Sequence, residues 1–120
     1  MRILIADDSE LVRRGIITLL SEEKRWQVCG EVADGSHAVQ KARELLPDLI
    51  LLDISMPGLN GLEAASLLRQ DLPQTKILIL SQHDPSYLRS SAAAAGADDC
   101  LDKTQLGTDL LAAIRKLEKD

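Results

Sequence analysis

Three short runs of the chain are apolar without a break: Ile3-Leu4-Ile5-Ala6, Leu49-Ile50-Leu51-Leu52 and Ile77-Leu78-Ile79-Leu80. A strand with one wet face alternates apolar and polar residues. A continuous run predicts a strand covered on both faces, as in a parallel sheet. A weaker strand is predicted through Trp26–Val32 and a short fifth one through Asp99–Leu101. Between the strands the period becomes helical. Leu11, Val12, Ile16, Leu19 and Leu20 follow Ser9, an expected N-cap. Ala38, Val39, Ala42, Leu45 and Leu46 form a second stripe, closed by Pro47. Leu62, Ala65, Leu67 and Leu68 form a third, ended near Pro73. An alanine-rich helix is expected over Tyr87–Ala95, stopping at Gly96. Leu106, Leu110, Ala113, Ile114 and Leu117 mark the last helix.

The alternation βαβαβαβαβα predicts an α/β fold: a doubly wound parallel sheet with helices on both faces and right-handed crossovers. Of the two common strand orders, five strands suit 2-1-3-4-5. That order puts Cys29 and Cys100 on opposite edges, roughly 19 Å apart across four strand spacings. A disulfide needs Cα atoms within about 7 Å, so both thiols are expected to stay reduced.

Composition narrows the reading. A chain of 120 residues with 45% hydrophobic content suits one domain over residues 1–120 with one core. With 2% aromatics and no Phe, that core must be aliphatic. The net charge of −5 argues against direct nucleic-acid binding, which demands clustered Lys and Arg. No apolar run approaches a membrane span, and no basic leader precedes an apolar segment, so a cytoplasmic location is expected. His37 and His83 have no partner at metal-ligand spacing. Arg13 and Arg14 are expected on a solvated helix face.

The chemistry gathers where open parallel sheets bind ligands, beyond the C-terminal strand ends. Asp7 and Asp8 end the first strand, Asp53 the third and Ser81 the fourth, and Lys103 follows the fifth. Adjacent strands lie about 4.8 Å apart, which brings Asp53 close to the aspartate pair. Two unit charges about 4 Å apart repel by roughly 4 kcal/mol at an effective dielectric near 20. Three carboxylates together call for a cation. Few hard oxygen ligands near water favour Mg²⁺, which is often shared with a phosphate. Lys103 and Ser81 are placed to meet phosphoryl oxygens. A carboxylate beside a divalent ion is a competent nucleophile toward phosphorus. Taken singly, each residue has an ordinary explanation: helix-end acids, a turn acid, a turn serine, a surface lysine. Four such explanations would have to coincide at one sheet edge.

These residues resemble the receiver domain of bacterial two-component response regulators over essentially the whole chain. The matching pieces are Asp7-Asp8, LILLDISMPGLNGLE around Asp53, SQHD after the fourth strand, and GADDCLDK ending in Lys103. VRRGIITLL, VCGEVADGSHAV, PDLILLDISMPGLNGLE and AAGADDCLDK are most similar to receivers preceding LuxR-type helix-turn-helix domains. The resemblance implies the flavodoxin-like (βα)5 receiver fold. It makes Asp53 the phosphoacceptor. Mg²⁺ would be held by Asp8 and Asp53, by the Ser55 backbone carbonyl, and by Asp7 through water. Lys103 would pair with the phosphoryl group, and Ser81 would bond it in the active form. The donor would be a sensor histidine kinase phosphohistidine or a small acyl phosphate. The output would pass through the face of the fourth helix, fifth strand and fifth helix to a homodimer partner or a C-terminal helix-turn-helix effector, and so to transcription. Such a domain is not an enzyme acting on a separate substrate; it promotes its own phosphorylation and dephosphorylation.

Two positions depart from the family pattern. Gln82 stands where a small residue usually follows the strand-four hydroxyl. Cys100 stands where Tyr or Phe usually lies three residues before the lysine. A thiol cannot swing a large ring between two positions. These departures keep a second reading open: a pseudo-receiver acting as a phosphate-independent protein-binding module. A third reading, a phosphatase or phosphotransferase with an aspartyl-phosphate intermediate, typically wants Asp-x-Asp on one strand, where this chain has Asp53-Ile54-Ser55.

Overall fold

The computed structural model describes residues 1–82, 86 and 88–119. The elements run β1 (Arg2–Ala6), α1 (Glu10–Leu20), β2 (Gln27–Val32), α2 (Gly35–Leu45), β3 (Leu49–Asp53), α3 (Gly61–Asp71), β4 (Lys76–Ser81), α4 (Arg89–Ala94), β5 (Asp99–Asp102), a short 3-10 turn (Lys103–Gln105) and α5 (Leu106–Lys119). All strand pairs are parallel, in the expected order β2-β1-β3-β4-β5.

The unbroken aliphatic runs are explained by two cores. Successive strand residues point to opposite faces. Leu4, Ala6, Ile50, Leu52, Ile77 and Ile79 pack on one side with Ala38, Ala42, Ala65, Leu68 and Ala92 of α2, α3 and α4. Ile3, Ile5, Leu49, Leu51, Leu78 and Leu80 pack on the other with Ile16, Leu20, Leu110 and Ile114 of α1 and α5. Small alanines let α2, α3 and α4 lie close to the sheet without aromatic filler. Trp26 is buried just before β2 in the second core, with the Arg115 guanidinium 5.7 Å from its ring centroid.

Three leucines leave the expected stripes. Leu11 is 80% exposed. It lies five residues before Ile16, about 140° around the helix axis, and so faces away from the sheet. Leu46 is exposed because α2 ends there in a left-handed conformation, φ 50°. Leu67 points outward, and Ala64 takes the buried position instead. Helix α4 is shorter than expected. Gly96 ends it at φ +93°, as its glycine predicts, while Tyr87 and His83 lie outside the described residues. No helix among the described residues is long and apolar enough to cross a membrane.

Candidate functional site

The site is assembled by strand register. Ala6 pairs with Leu52, so the next residues, Asp7 and Asp53, leave neighbouring strands side by side. Asp53 pairs with Leu80, and Ser81 pairs with Asp102, the residue before Lys103. Asp7, Asp53 and Ser81 are all buried, while Asp8 is exposed. One carboxylate oxygen from each of Asp7, Asp8 and Asp53 falls within 4.8 Å of the others.

Lys103 closes this cluster from the β5 side. Its Nζ lies 2.7 Å from Asp7 Oδ2 and 3.1 Å from Asp53 Oδ1. Burial alone would depress the ammonium, but the two carboxylates outweigh it and hold its pKa above the ordinary lysine value. Asp53 moves in the direction unfavourable to its charge. Burial raises its pKa and the Asp7 charge adds to this, against the Ser55 N–H and Lys103, which favour the carboxylate. One ammonium does not balance three carboxylates.

The local backbone presents these groups in order. The Asp7 N–H donates to the Val32 carbonyl at 3.1 Å, extending the β1–β2 pairing past the strand end. Asp7 Oδ1 accepts from the Ser9 N–H at 2.9 Å, and Ser9 Oγ in turn accepts from the Val12 N–H at 3.2 Å to cap α1. Asp53 Oδ1 accepts from the Ser55 N–H at 3.1 Å. The loop beyond leads into α3, closed by the Gly61 N–H donating to the Ile54 carbonyl at 3.1 Å. Gly58 turns it at φ 70°, and Asn60 and Glu63 form a reciprocal capping box. A Cβ on Gly61 would clash with the Asp53 carbonyl oxygen, so the glycine permits that approach.

The residues fit a divalent cation. The donors are hard carboxylates on a partly open edge. Asp7 Oδ2 is buried without a well-aligned hydrogen bond among the described residues, facing only the Lys103 charge. Such a set, negative and under-compensated, suits Mg²⁺.

Two basic residues expected on one solvated face behave differently. Arg14 is exposed and pairs with Glu10. Arg13 folds inward: its Nη1 donates to the Asp7 carbonyl at 2.7 Å, and its Nε donates to Glu31 Oε1 at 3.0 Å. His37 caps α2 with Asp34 and approaches no metal cluster among the described residues.

A family model described as the response regulator receiver domain matches residues 3–115. The chain belongs to the response regulator receiver family. The receiver is 40% identical over 119 residues to the response regulator protein VraR of Staphylococcus aureus, a match covering 99% of this chain and 57% of VraR. The chain thus spans a little over half the length of the curated relatives it matches. Among solved structures, the receiver is similar to a LuxR-family two-component response regulator from Aurantimonas sp. SI85-9A1. The TM-score is 0.91 at 33% identity, over 97% of this chain and 83% of that one. It is also similar to the signal receiver domain of NarL from Mycobacterium tuberculosis, with a TM-score of 0.90 at 34% identity over 98% of this chain and 95% of that one.

Within this receiver the two departures take definite places. Gln82 is exposed just past the end of β4. Cys100 is 2% exposed in β5, paired with Ile79 and packed in the core that includes Ala92 of α4. Beside it a groove of about 210 Å³ runs between α4 and β5, lined by Arg89, Ala92, Ala93, Ala97, Asp99 and Cys100 among others.

Proposed function

We propose that residues 1–120 form a single receiver domain that accepts a phosphoryl group on Asp53. The observation that carries this reading is the bridge of Lys103 between Asp7 and Asp53 at the carboxyl edge of the sheet, with Asp8 exposed beside them. Asp8, Asp53 and the Ser55 carbonyl would hold Mg²⁺, with Asp7 reaching it through water. The cation supplies charge neutralisation for the incoming phosphoryl oxygens. An Asp53 carboxylate oxygen attacks phosphorus, the P–N bond to a sensor kinase histidine breaks, and the imidazole leaves with the bonding pair. A small acyl phosphate would serve equally, its carboxylate leaving instead. Lys103 then pairs with the phosphoryl group, and Ser81 donates to it.

Ser81 ends β4 next to the segment leading to α4, so its engagement is the link from phosphoryl group to output. That output is the α4-β5-α5 face. Cys100 removes the aromatic switch, leaving Ser81 to move α4. In the full-length protein the partners would be a sensor histidine kinase, a second receiver and a C-terminal helix-turn-helix effector. The whole would act in the cytoplasm as a transcription regulator.

The test is labelling by an acyl phosphate with Mg²⁺. The wild type should acquire the label and Asp53→Asn should not; equal labelling would remove Asp53 as acceptor. Cys100 and Gln82 favour a second reading, the pseudo-receiver. Saturable beryllofluoride binding with altered α4 amide signals would rule that reading out.

A further inference from the structure

We propose that Arg13 is a positioning residue for the metal-binding end of β1: its guanidinium holds the Asp7–Asp8 peptide in the orientation that presents Asp8 to a divalent cation. The inference rests on the phosphoacceptor reading for its purpose, and on the Arg13 contacts for its geometry.

The argument starts from the helix. Ser9 is the N-cap, and the Arg13 N–H closes on the Ser9 carbonyl at 3.0 Å. Arg13 therefore sits at the edge of the first turn, where a positive charge opposes the helix dipole. Its side chain is nonetheless held down, 16% exposed. Two acceptors account for this. Nε donates to Glu31 on β2, which sets the plane of the guanidinium, and Nη1 donates to the Asp7 carbonyl.

That carbonyl belongs to the peptide joining Asp7 to Asp8. On its other side Asp7 is held by the bond from its N–H to Val32. Asp7 also has its carboxylate fixed, by Ser9 and by Lys103. Asp8 is exposed and is placed chiefly by its backbone. The peptide that sets the direction of Asp8 is thus clamped by Val32 at the start of Asp7 and by Arg13 at its end. Metal sites commonly depend on such supporting contacts, whose loss costs about ten-fold or more in metal affinity. A lysine cannot reproduce the planar fork that reaches both Glu31 and the carbonyl.

The experiment compares wild type with Arg13→Gln, Arg13→Lys and Glu31→Gln. One readout is Mg²⁺ affinity by calorimetric titration, with the metal-free melting temperature measured alongside. The other is native-state hydrogen exchange at the Asp7 and Ser9 amides without metal. Arg13→Gln is expected to lose about ten-fold in Mg²⁺ affinity. The two amides should exchange about ten-fold faster relative to the β3 amides. Arg13→Lys should rescue neither, and Glu31→Gln should give a smaller loss of the same kind. Affinity and exchange both within two-fold of wild type in folded Arg13→Gln would overturn the proposal. If Arg13→Gln does not fold, Glu31→Gln decides on the same criteria. Failure of the wild type to bind Mg²⁺ would overturn the phosphoacceptor reading instead, and the metal-free exchange would still decide the role of Arg13.

Discussion

The Lys103 ammonium lies 2.7 Å from Asp7 Oδ2, joining the turn after β5 to the end of β1 across the width of β3 and β4. The same ammonium reaches Asp53. Three chain segments distant in sequence thus share one charge.

Replacing Lys103 with Met should therefore destabilise the metal-free domain. It leaves Asp7 and Asp53 buried without a counter-charge, a change worth about 3 kcal/mol or more. Saturating Mg²⁺ should restore part of the loss, because the cation supplies the missing positive charge. Denaturant unfolding of Lys103→Met with and without Mg²⁺ checks this. A variant as stable as wild type in chelator would show that the pair contributes nothing.

Gly61→Ala tests the packing behind Asp53. The new Cβ would press on the Asp53 carbonyl oxygen and the Ile54 Cα, both backbone atoms that cannot rotate aside. The expected cost is about 1–3 kcal/mol from overpacking. Because the displaced peptide is that of Asp53, acyl phosphate labelling should fall by more than the stability change accounts for. Labelling at the wild-type rate would separate the two.

The three central strands were legible because coverage on both faces leaves an unbroken aliphatic run in each, and their ends were legible because Asp7, Asp53 and Ser81 interrupt those runs abruptly. Asp7, Asp8, Asp53, Ser81 and Lys103 gather at one edge by topology alone, once the order β2-β1-β3-β4-β5 is accepted. Leu11 was misplaced because apolar character near a helix start does not fix its angle around the axis. Arg13 was not legible at all. Its acceptor Glu31 is 18 residues away and becomes a neighbour only after β2 pairs with β1. The Asn60–Glu63 capping box, by contrast, carries a local sequence signal: an N-cap residue with Glu three positions on.

The two cysteines should remain free and unreactive at neutral pH. Burial raises both thiols above their ordinary value, and they sit on opposite edge strands. The thiolate is the reactive form, so alkylation should be slow. Cys29 is partly exposed and should react before Cys100. Iodoacetamide labelling followed by mass spectrometry gives the order, and both should label rapidly in guanidinium. Prior labelling of Cys100 in the native protein would contradict its burial.

Asp34 gives a pH signature. Its carboxyl is held below the ordinary 3.8 by the His37 N–H first and the His37 ring second. A depressed folded pKa means its stabilisation is present above the unfolded value and is lost as pH falls through the folded one. Asp34→Ala should therefore melt lower than wild type at pH 7. The gap should narrow as pH falls below 3.8. A gap independent of pH would assign the effect to helix propensity rather than to the charged cap.

Mg²⁺ should stabilise the folded domain, because the three-carboxylate cluster exists only when β1 and β3 are paired. At a hundred-fold excess over its dissociation constant the gain is about 2.7 kcal/mol, an upward shift of several degrees in melting temperature. The aspartates should not contribute equally. Asp7 is already committed to Lys103 and to the Ser9 N–H, whereas Asp8 faces solvent and is free to turn its oxygens to a cation. Asp8→Ala should thus reduce the Mg²⁺-dependent shift more than Asp7→Ala. Removing Asp7 also relieves the charge that raises the Asp53 pKa, which partly offsets the loss of a ligand. Thermal melts of both variants across a Mg²⁺ titration settle the order. A larger loss in Asp7→Ala would reverse the assignment of the direct ligand, and a flat response in wild type at millimolar Mg²⁺ would remove the metal from the site.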